Sequence, residues 1–213
     1  MLITLLLDNK KSWFYPYAED LKKKIEEKGN HVYLVHSVDE VEVGDFAFFL
    51  SCEKIIKKDI RTKNKYNIVV HSSALPKGKG WSPLTWQILE GKNKITNTLF
   101  EAVDKVDAGV IYMQNEMEFC GDELLNELHE IQGRSINQLI LEFISLYPLI
   151  DGKKQVGDET FYERRTSSSS ELNIDKSIKE QFNLLRVVDN ELYPAYFLYK
   201  GNRYILTIKK EKK

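Results

Sequence analysis

The residues with the clearest chemical potential lie between positions 70 and 83. His71 follows an apolar run typical of a strand, and a loop rich in Pro and Gly leads from it to a helix start at Pro83. Asp107 lies in an acidic loop between two extended segments. A carboxylate beside a histidine raises the pKa of the imidazole and fixes its tautomer, which suits general acid and base chemistry near neutral pH. A lone histidine is more often structural, so composition alone leaves this pairing a hypothesis.

An α/β fold would bring these residues to one edge of a sheet. Apolar runs predict buried strands at residues 2–8, 31–35, 45–51 and 66–72, with a helix at residues 16–28. Strands that alternate with helices indicate right-handed βαβ units and a mostly parallel, Rossmann-like sheet flanked by helices. Ligands bind at the carboxyl edge of such sheets, where His71 would lie.

The pattern continues to about residue 150. Residues 83–90 predict a helix, and residues 95–103 and 109–118 predict two extended segments. Residues 121–148 then follow a long helical pattern, in which Gly133 is a candidate break point. We therefore predict a catalytic α/β domain over residues 1–150.

The remaining residues, 151–213, predict a C-terminal extension with a helix and a β-hairpin. The serine run at 167–170 predicts a mobile loop, and residues 175–187 predict the helix. Two β-rich runs flank Gly201-Asn202, a pair typical of a two-residue hairpin turn. Because the hairpin is rich in tyrosine and needs a surface to pack on, we expect a homodimer, although the parent domain would also serve.

Composition excludes several classes of protein. The 213 residues contain 31 basic and 32 acidic side chains, and the net charge of −1 argues against a nucleic-acid partner. The longest apolar runs are too short to cross a membrane, and no signal peptide is evident, so we expect a cytoplasmic protein. Neither the two cysteines nor the four histidines show metal-ligand spacing, and no GxGxxG motif is present.

The loop after His71 also resembles a known family. The pattern runs in one order and spacing through His71-Ser72-Ser73-Ala74-Leu75-Pro76, Gly80, Pro83, Trp86-Gln87-Ile88-Leu89, Gly91 and Asp107-Ala108-Gly109. It is similar to the 10-formyltetrahydrofolate-dependent formyltransferases. Three further segments resemble the sugar N-formyltransferases within that family. These are Asp8-Asn9 with Ser12-Trp13, then residues 161–166 and residues 182–186.

The resemblance implies an acyl transfer from a folate to an amine, with no metal. A substrate amine would attack the formyl carbon, and tetrahydrofolate would leave after a tetrahedral intermediate. His71 would transfer the proton and polarise the formyl oxygen, while Asp107 would hold the imidazole. The family normally has asparagine where this chain has Val69, and the loss of such an oxyanion donor costs a few kcal/mol of barrier. Ser72, Ser73, a backbone N–H or His71 itself could replace that donor.

The resemblance also suggests binding residues. The folate would lie against the loop after the third strand and the loop before the aspartate, at Leu50, Cys52, Ile56, Val103 and Asp107; core packing is the alternative for Leu50 and Ile56. The sugar nucleotide would meet Asn9, Trp13, Ser73, Lys77, Lys79, Arg164 and Arg165. The four cations suit phosphate groups but are also compatible with an ordinary surface. Trp13 could instead pack as a staple at the helix entry.

The acceptor is inferred by exclusion within the family. Initiator-tRNA formyltransferases have a larger C-terminal domain and a basic surface, and the purine-pathway enzyme has a Gly-rich phosphate loop where residues 8–12 contain no glycine. A nucleotide-linked amino sugar remains, and Val69 and the hairpin most resemble the pseudaminic-acid branch, with a UDP-linked 4-amino-4,6-dideoxy sugar. A formyl hydrolase and a catalytically silent folate and nucleotide-sugar binding protein are the alternatives.

Overall fold

The computed structural model describes residues 1–211 and contains ten strands and five α-helices in them. The strands are β1 (Leu2–Leu6), β2 (His31–Val35), β3 (Gly44–Phe49), β4 (Asn64–His71), β5 (Lys79–Gly80), β6 (Lys94–Glu101), β7 (Ile111–Glu118), β8 (Phe161–Tyr162), β9 (Ala195–Tyr199) and β10 (Asn202–Leu206). The helices are α1 (Tyr15–Glu26), α2 (Lys58–Arg61), α3 (Pro83–Leu89), α4 (Leu125–Ser145) and α5 (Phe182–Arg186). Short 3₁₀ turns occur at Val38–Glu40 and Ser167–Ser170.

Six strands form the central sheet in the order β2-β1-β3-β4-β6-β7. Strands β1 to β4 are parallel, whereas β6 runs antiparallel to β4 and β7 antiparallel to β6. The mostly parallel α/β sheet predicted from the sequence is confirmed. His71 is the last residue of β4, so it lies at the carboxyl edge of the parallel part, where open α/β sheets bind ligands.

Helices α1 and α4 cover one face of the sheet and form the main core. Ala18, Leu21 and Ile25 recur at helical spacing on the buried stripe of α1. They pack against inward-facing strand residues such as Leu5 and Phe48. A second apolar cluster on the other face of the sheet includes Ile56, Ile60 and Val69. The sheet is therefore buried on both faces, as parallel sheets usually are.

Helix α4 runs without interruption through Gly133, so the predicted break there is wrong. A Cβ at this position would lie 2.6 Å from the ring of Tyr17 on α1. Glycine is therefore required for the close approach of the two helices, a packing reason that outweighs its low helix propensity.

The serine run forms a 3₁₀ turn with Ser170 buried, and its mobility stays a prediction. One prediction for the C-terminal region is wrong. The helix predicted at 175–187 is limited to Phe182–Arg186. Polar side chains compete for the backbone in the missing part: Gln181 accepts from the N–H of Asn173, and Glu180 accepts from the N–H of Ser177. Such local side-chain bonds favour turns over helix.

The C-terminal hairpin is formed by β9 and β10 as predicted, but its turn is displaced by one residue. Lys200 and Gly201, rather than Gly201 and Asn202, occupy the turn, with φ values of 48° and 80°. Positive φ at both central residues matches the right-handed twist of the strands. Phe197 and Leu206 turn inward onto a small core that contains Leu185 and belongs to this end of the molecule.

None of the helices in residues 1–211 combines the length and apolarity needed to cross a membrane. The boundary predicted between residues 150 and 151 stays a prediction, but the chain after it does not form a separate layer. Strand β8 pairs in parallel with β5, so the start of the extension lies against the loop that follows His71.

Candidate functional site

The structure brings His71 and Asp107 together at the carboxyl edge of β4. The Nε2 atom of His71 lies 2.8 Å from the carbonyl oxygen of Gly78 and 3.9 Å from Oδ2 of Asp107. Because a carbonyl oxygen only accepts hydrogen bonds, Nε2 is assigned the proton, and Nδ1 is the basic nitrogen of the neutral ring. The imidazole is 8% exposed. A buried imidazole beside a carboxylate can relay a proton.

Asp107 is held in a strained loop. Its φ is +49°, a left-handed conformation that is uncommon outside glycine. Its Oδ2 accepts the N–H of Gly80 at 2.9 Å, and its carbonyl oxygen accepts Nε2 of Gln155 at 2.9 Å. The backbone of Gly109 passes so close to the carbonyl of Glu101 that a Cβ there would overlap it. The close approach to Glu101 therefore requires glycine at position 109 of the Asp107-Ala108-Gly109 motif.

A segment from the C-terminal region crosses the loop after His71 and the loop that carries Asp107, which we call the candidate catalytic loops; we refer to residues 153–164 as the strap. At one end the backbone of Lys153 exchanges hydrogen bonds with Ile111 at the start of β7. At the other end, Trp86 donates its indole N–H to the carbonyl oxygen of Glu163 at 2.9 Å. The resemblance singled out residues 161–166, but no local pattern predicts the contacts of the strap, since its partners lie far away along the chain.

A buried polar network supports the loop from behind. The Ser72 hydroxyl donates to Oδ1 of Asn97 at 2.7 Å and accepts from Gln132 on α4 at 2.7 Å. Gln87 on α3 donates to the Ser72 carbonyl oxygen at 2.7 Å. Ser72 therefore has no hydroxyl proton left for a substrate. The buried hydroxyl of Ser73, in contrast, has no hydrogen-bond partner within residues 1–211.

Val69 occupies the strand position two residues before His71. It pairs with Phe49 on β3 and Phe100 on β6, and it packs in the apolar cluster that contains Ile56. Its side chain offers no donor to a developing oxyanion. Of the side-chain hydroxyls considered as replacements, Ser73 is the one that remains uncommitted.

Two loops predicted to contact the folate are connected by Arg61. Its guanidinium donates to the carbonyl oxygens of Ile56 and Ala102, at 3.1 and 3.2 Å, and forms an ion pair with Asp104. Arg61 was not among the predicted site residues, because its position at the end of a short helical stretch carries no sequence signal. It links the loop after β3 to the loop after β6.

The individual folate residues differ in accessibility. Leu50 and Ile56 are 4% and 8% exposed and pack in the two cores, so the alternative of core packing describes their side chains. Burial raises the pKa of the Cys52 thiol to about 12, so it is not a reactive thiolate. Val103 is exposed at the loop surface. Their contacts with a folate stay predictions.

The residues predicted to bind the acceptor also divide into two groups. Asn9 and Lys77 are exposed, and Trp13 is partly buried and stacks on His129, with the ring centroids 4.2 Å apart. Arg164 lies over the ring of Trp81 and reaches Glu53. The binding roles of Asn9, Trp13, Lys77 and Arg164 stay predictions.

Lys79 and Arg165 differ from the expectation of exposed phosphate ligands. Lys79 is fully buried, and its Nζ pairs with Glu159 at 2.8 Å. Arg165 is partly buried and donates to the carbonyl oxygen of Ser169, and its desolvation lowers the pKa of the guanidinium. Both cations are thus engaged with protein groups rather than displayed at the surface.

Cys120, Asp122 and Glu123 lie close enough to suggest a metal centre, but the carboxylate of Glu123 is already satisfied. It accepts the N–H groups of Cys120 and Gly121 and a charged hydrogen bond from Arg186 at 2.6 Å. Burial alone would raise the pKa of this carboxyl, but those donors outweigh burial and lower it. The cluster is a structural junction.

Comparison with known proteins shows the family of this chain. A formyl transferase family model matches residues 14–139. A methionyl-tRNA formyltransferase of Clostridium beijerinckii is 30% identical over 176 residues, which are 79% of this chain and 56% of that protein. The chain spans about half the length of the curated relatives it matches. The protein belongs to the formyl transferase family.

Solved structures of low sequence identity share the fold. A methionyl-tRNA formyltransferase from Clostridium thermocellum aligns with a TM-score of 0.81 at 23% identity, covering 99% of this chain and 93% of that one. A sugar N-formyltransferase from Shewanella gives 0.74 at 16% identity, with 100% and 99% covered. HypX from Aquifex aeolicus in complex with tetrahydrofolic acid gives 0.79 at 15% identity, with 97% and 37% covered.

Proposed function

We propose that this protein transfers a formyl group from 10-formyltetrahydrofolate to the amino group of a nucleotide-linked sugar. The amine nitrogen attacks the formyl carbon, a C–N bond forms, and the bond from that carbon to the folate nitrogen breaks. His71 relays the amine proton to the departing nitrogen, so the products are an N-formyl sugar and tetrahydrofolate. Asp107 stabilises the charge that the imidazole acquires, and holding both substrates together lowers the barrier further.

The pairing of the cations around the site supports a small acceptor over an RNA. Lys79 and Lys105 both pair with Glu159, at 2.8 and 2.9 Å, and Arg164 pairs with Glu53 at 3.2 Å. An RNA-binding face needs cations free to neutralise phosphates, and its affinity grows with their number. A diphosphate needs only one or two, and the exposed Lys77 can supply one.

The first test is a mass-spectrometric assay of the purified protein with 10-formyltetrahydrofolate and a panel of UDP- and dTDP-linked amino sugars. We expect one sugar to gain a single formyl group, and a UDP-linked 4-amino-4,6-dideoxy sugar of the pseudaminic-acid type is the acceptor we propose. His71→Ala serves as the inactive control that still binds folate. If no sugar is formylated while folate binds, the sugar proposal is wrong.

Methionyl-tRNA is the second candidate acceptor, favoured by the 30% identity to the Clostridium beijerinckii protein. Charged initiator tRNA therefore belongs in the same panel. Formylation of methionyl-tRNA at a rate above that of every sugar would replace our proposal with this one.

Two further alternatives are separated by the same reagents. A formyl hydrolase would release formate when incubated with the folate alone. The second alternative is a silent binding protein, which is suggested by Val69 in place of the asparagine of the family. Such a protein would bind folate and sugar nucleotide without forming product. Val69→Asn then tests the missing donor: a large gain in rate would show that neither Ser73 nor the backbone replaces it.

We also propose that two copies associate through the C-terminal hairpin. Leu198 and Ile205 are about half and two-thirds exposed on the outer face of β9 and β10, respectively. Sedimentation at the assay concentration should show a dimer, and a monomer would remove the proposal without affecting the assignment of the reaction.

A further inference from the structure

The strap contacts the loop after His71 at Gly78. The N–H of Gly78 donates to Oγ1 of Thr160 at 2.8 Å, and the next N–H, of Lys79, donates to the carbonyl oxygen of Thr160 at 2.9 Å. Thr160 thus fixes the peptide units on both sides of Gly78. The φ of Gly78 is +72°, and a Cβ there would lie 2.9 Å from the ring of Tyr162.

The orientation of Gly78 matters because its carbonyl oxygen is the hydrogen-bond acceptor for His71. The Nε2 atom of His71 lies 2.8 Å from that oxygen, and this contact selects the tautomer with the proton on Nε2. The peptide unit that presents this oxygen donates its N–H, of Lys79, to the main-chain carbonyl oxygen of Thr160. The preceding peptide unit donates its N–H, of Gly78, to Oγ1 of Thr160. The Thr160 side chain therefore acts on the imidazole by fixing the peptide unit before Gly78, and with it the orientation in which Gly78 presents its carbonyl oxygen.

The strap also holds the loop of Asp107, the second residue of the proposed catalytic pair, through backbone carbonyl groups. Gln155 donates from Nε2 to the carbonyl oxygens of Asp107 and Gly109, both at 2.9 Å. Asp107 has a positive φ, which costs of order 1–3 kcal/mol and persists only where the surroundings hold it. Gln155 supplies two of the contacts that do so.

We infer that Thr160 and Gln155 are positioning residues for the catalytic pair, with Thr160 setting the tautomer and ring orientation of His71 through Gly78. This inference rests on the proposed formyl transfer. Neither side chain needs to touch a substrate, because each acts through a backbone group of the loop that carries the reacting side chain. The C-terminal extension then completes the active site instead of serving only as an addition to it.

The test compares Thr160→Val with Thr160→Ser in the full chain. Valine has nearly the same shape but lacks the Oγ1 acceptor, whereas serine keeps it. We expect valine to lower kcat about 10- to 100-fold with the KM of the acceptor within about twofold, since small misplacements of catalytic groups have effects of this size. Serine should restore kcat to within about threefold. A purely structural role would lower the amount of folded enzyme without this split.

Thr207→Val, on the exposed chain after β10, is the matched control, and its kcat should equal that of the unaltered protein. Gln155→Met tests the Asp107 arm in the same assay, with Gln138→Met on the exposed face of α4 as its control. Equal kcat values for Thr160→Val and Thr207→Val would overturn the inference for Thr160.

A readout without turnover separates this inference from the proposed function. The Nε2 proton of His71, assigned in a ¹⁵N NMR spectrum by its loss in His71→Asn, should exchange slowly in the unaltered protein and at least about tenfold faster in Thr160→Val. If no acceptor is formylated but exchange accelerates, the proposed reaction fails and the positioning stands. If exchange is unchanged, the positioning is wrong whatever the acceptor.

Discussion

Two stretches of the C-terminal region contact the rest of the protein in contrasting ways. The strap, residues 153–164, lies over the catalytic loops and is held by backbone hydrogen bonds and by the pair of Lys79 with Glu159. The hairpin unit, which we define as residues 182–206, is attached through one buried ion pair, Arg186 with Glu123, and through Val187, which packs in an apolar cluster with Ile88 and Leu128. Its own small core includes Leu185 and Ala195.

The contrast separates two tasks that one extension performs. The strap has few apolar contacts but many directional ones, which suits the placement of loops at a reaction centre. The hairpin unit covers little of the site and leaves Leu198 and Ile205 on its outer face. Changes in the strap should therefore act on turnover, and changes in the hairpin unit on stability and association.

Arg186→Met should have the largest effect and act on stability. The guanidinium is 1% exposed and donates to the carbonyl and carboxylate oxygens of Glu123, at 2.9 and 2.6 Å. Its loss leaves a buried, unpaired carboxylate, which costs about 3–5 kcal/mol. Denaturant unfolding measures this loss, while the kcat of the folded fraction should stay within about twofold. A fall in kcat with unchanged stability would contradict the proposal that the hairpin unit affects stability and the strap affects turnover.

Gly80→Ala should loosen the strap and act on turnover. The φ of Gly80 is +96°, and a Cβ would lie 2.5 Å from the carbonyl oxygen of Tyr162, so β5 and β8 must separate. Gly80 also donates to Asp107. We expect kcat to fall about 100-fold, equivalent to about 2.7 kcal/mol of barrier. Gly201→Ala, at a glycine of similar φ with open space around it, is the control for backbone strain alone.

His129, on α4 near Asp189 of the hairpin unit, should give stability a pH dependence. Burial lowers its pKa to about 4 from 6.5, and the charge of Asp189 opposes this only in part. Between those values the unfolded chain binds a proton that the folded protein does not, so stability is complete above pH 6.5 and is lost as the pH falls to 4. Allowing for partial exposure, the loss is about 2 kcal/mol.

His129→Phe, which can keep the stack on Trp13, removes this titration. Unfolding curves at several pH values between 4 and 7 should show a shallower slope for the variant. An identical slope in the two proteins would mean that His129 takes up its proton equally in both states and would contradict the prediction.

Leu198→Ser should have the smallest effect on the folded chain, since the side chain is about half exposed and a surface change costs at most about 0.5 kcal/mol. Its effect should be on association: the dimer we propose should dissociate at a higher concentration than the unaltered one, while kcat is unchanged. Sedimentation over a dilution series measures this. A dimer of undiminished affinity would remove the outer face of the hairpin from the interface.

Regular periodicity made the first half of the fold predictable. The apolar runs that end near Leu7, Phe49 and His71 are continuous because parallel strands are buried on both faces, and the structure has strands at each of them. Pro16 and Gly29 similarly delimited α1 within two residues. Local chemistry determined these elements, so local reasoning could find them.

The strap and the truncated helix could not be found in this way. The roles of Thr160 and Gln155 depend on their contacts with Gly78 and Asp107. These partners lie far away along the chain, so the contacts leave no local sequence pattern. The helical pattern at 175–187 was misleading because polar side chains satisfied the backbone before α5. Lys79 is a residue type that usually lies at the surface, but here its side chain is buried and pairs with Glu159 on the strap.

The separation of Gly78 from Thr160 along the chain bears on how the protein is made. The two residues are 82 positions apart, so a ribosome has released the whole sheet before the strap emerges. Domains fold as they leave the ribosome, at about 5–20 residues per second. A nascent chain that ends near residue 150 would have its strands and α4 but not the bonds that orient His71. The catalytic loop is thus ordered only after the sheet, and a truncation within the strap would yield a folded sheet without a competent reaction centre.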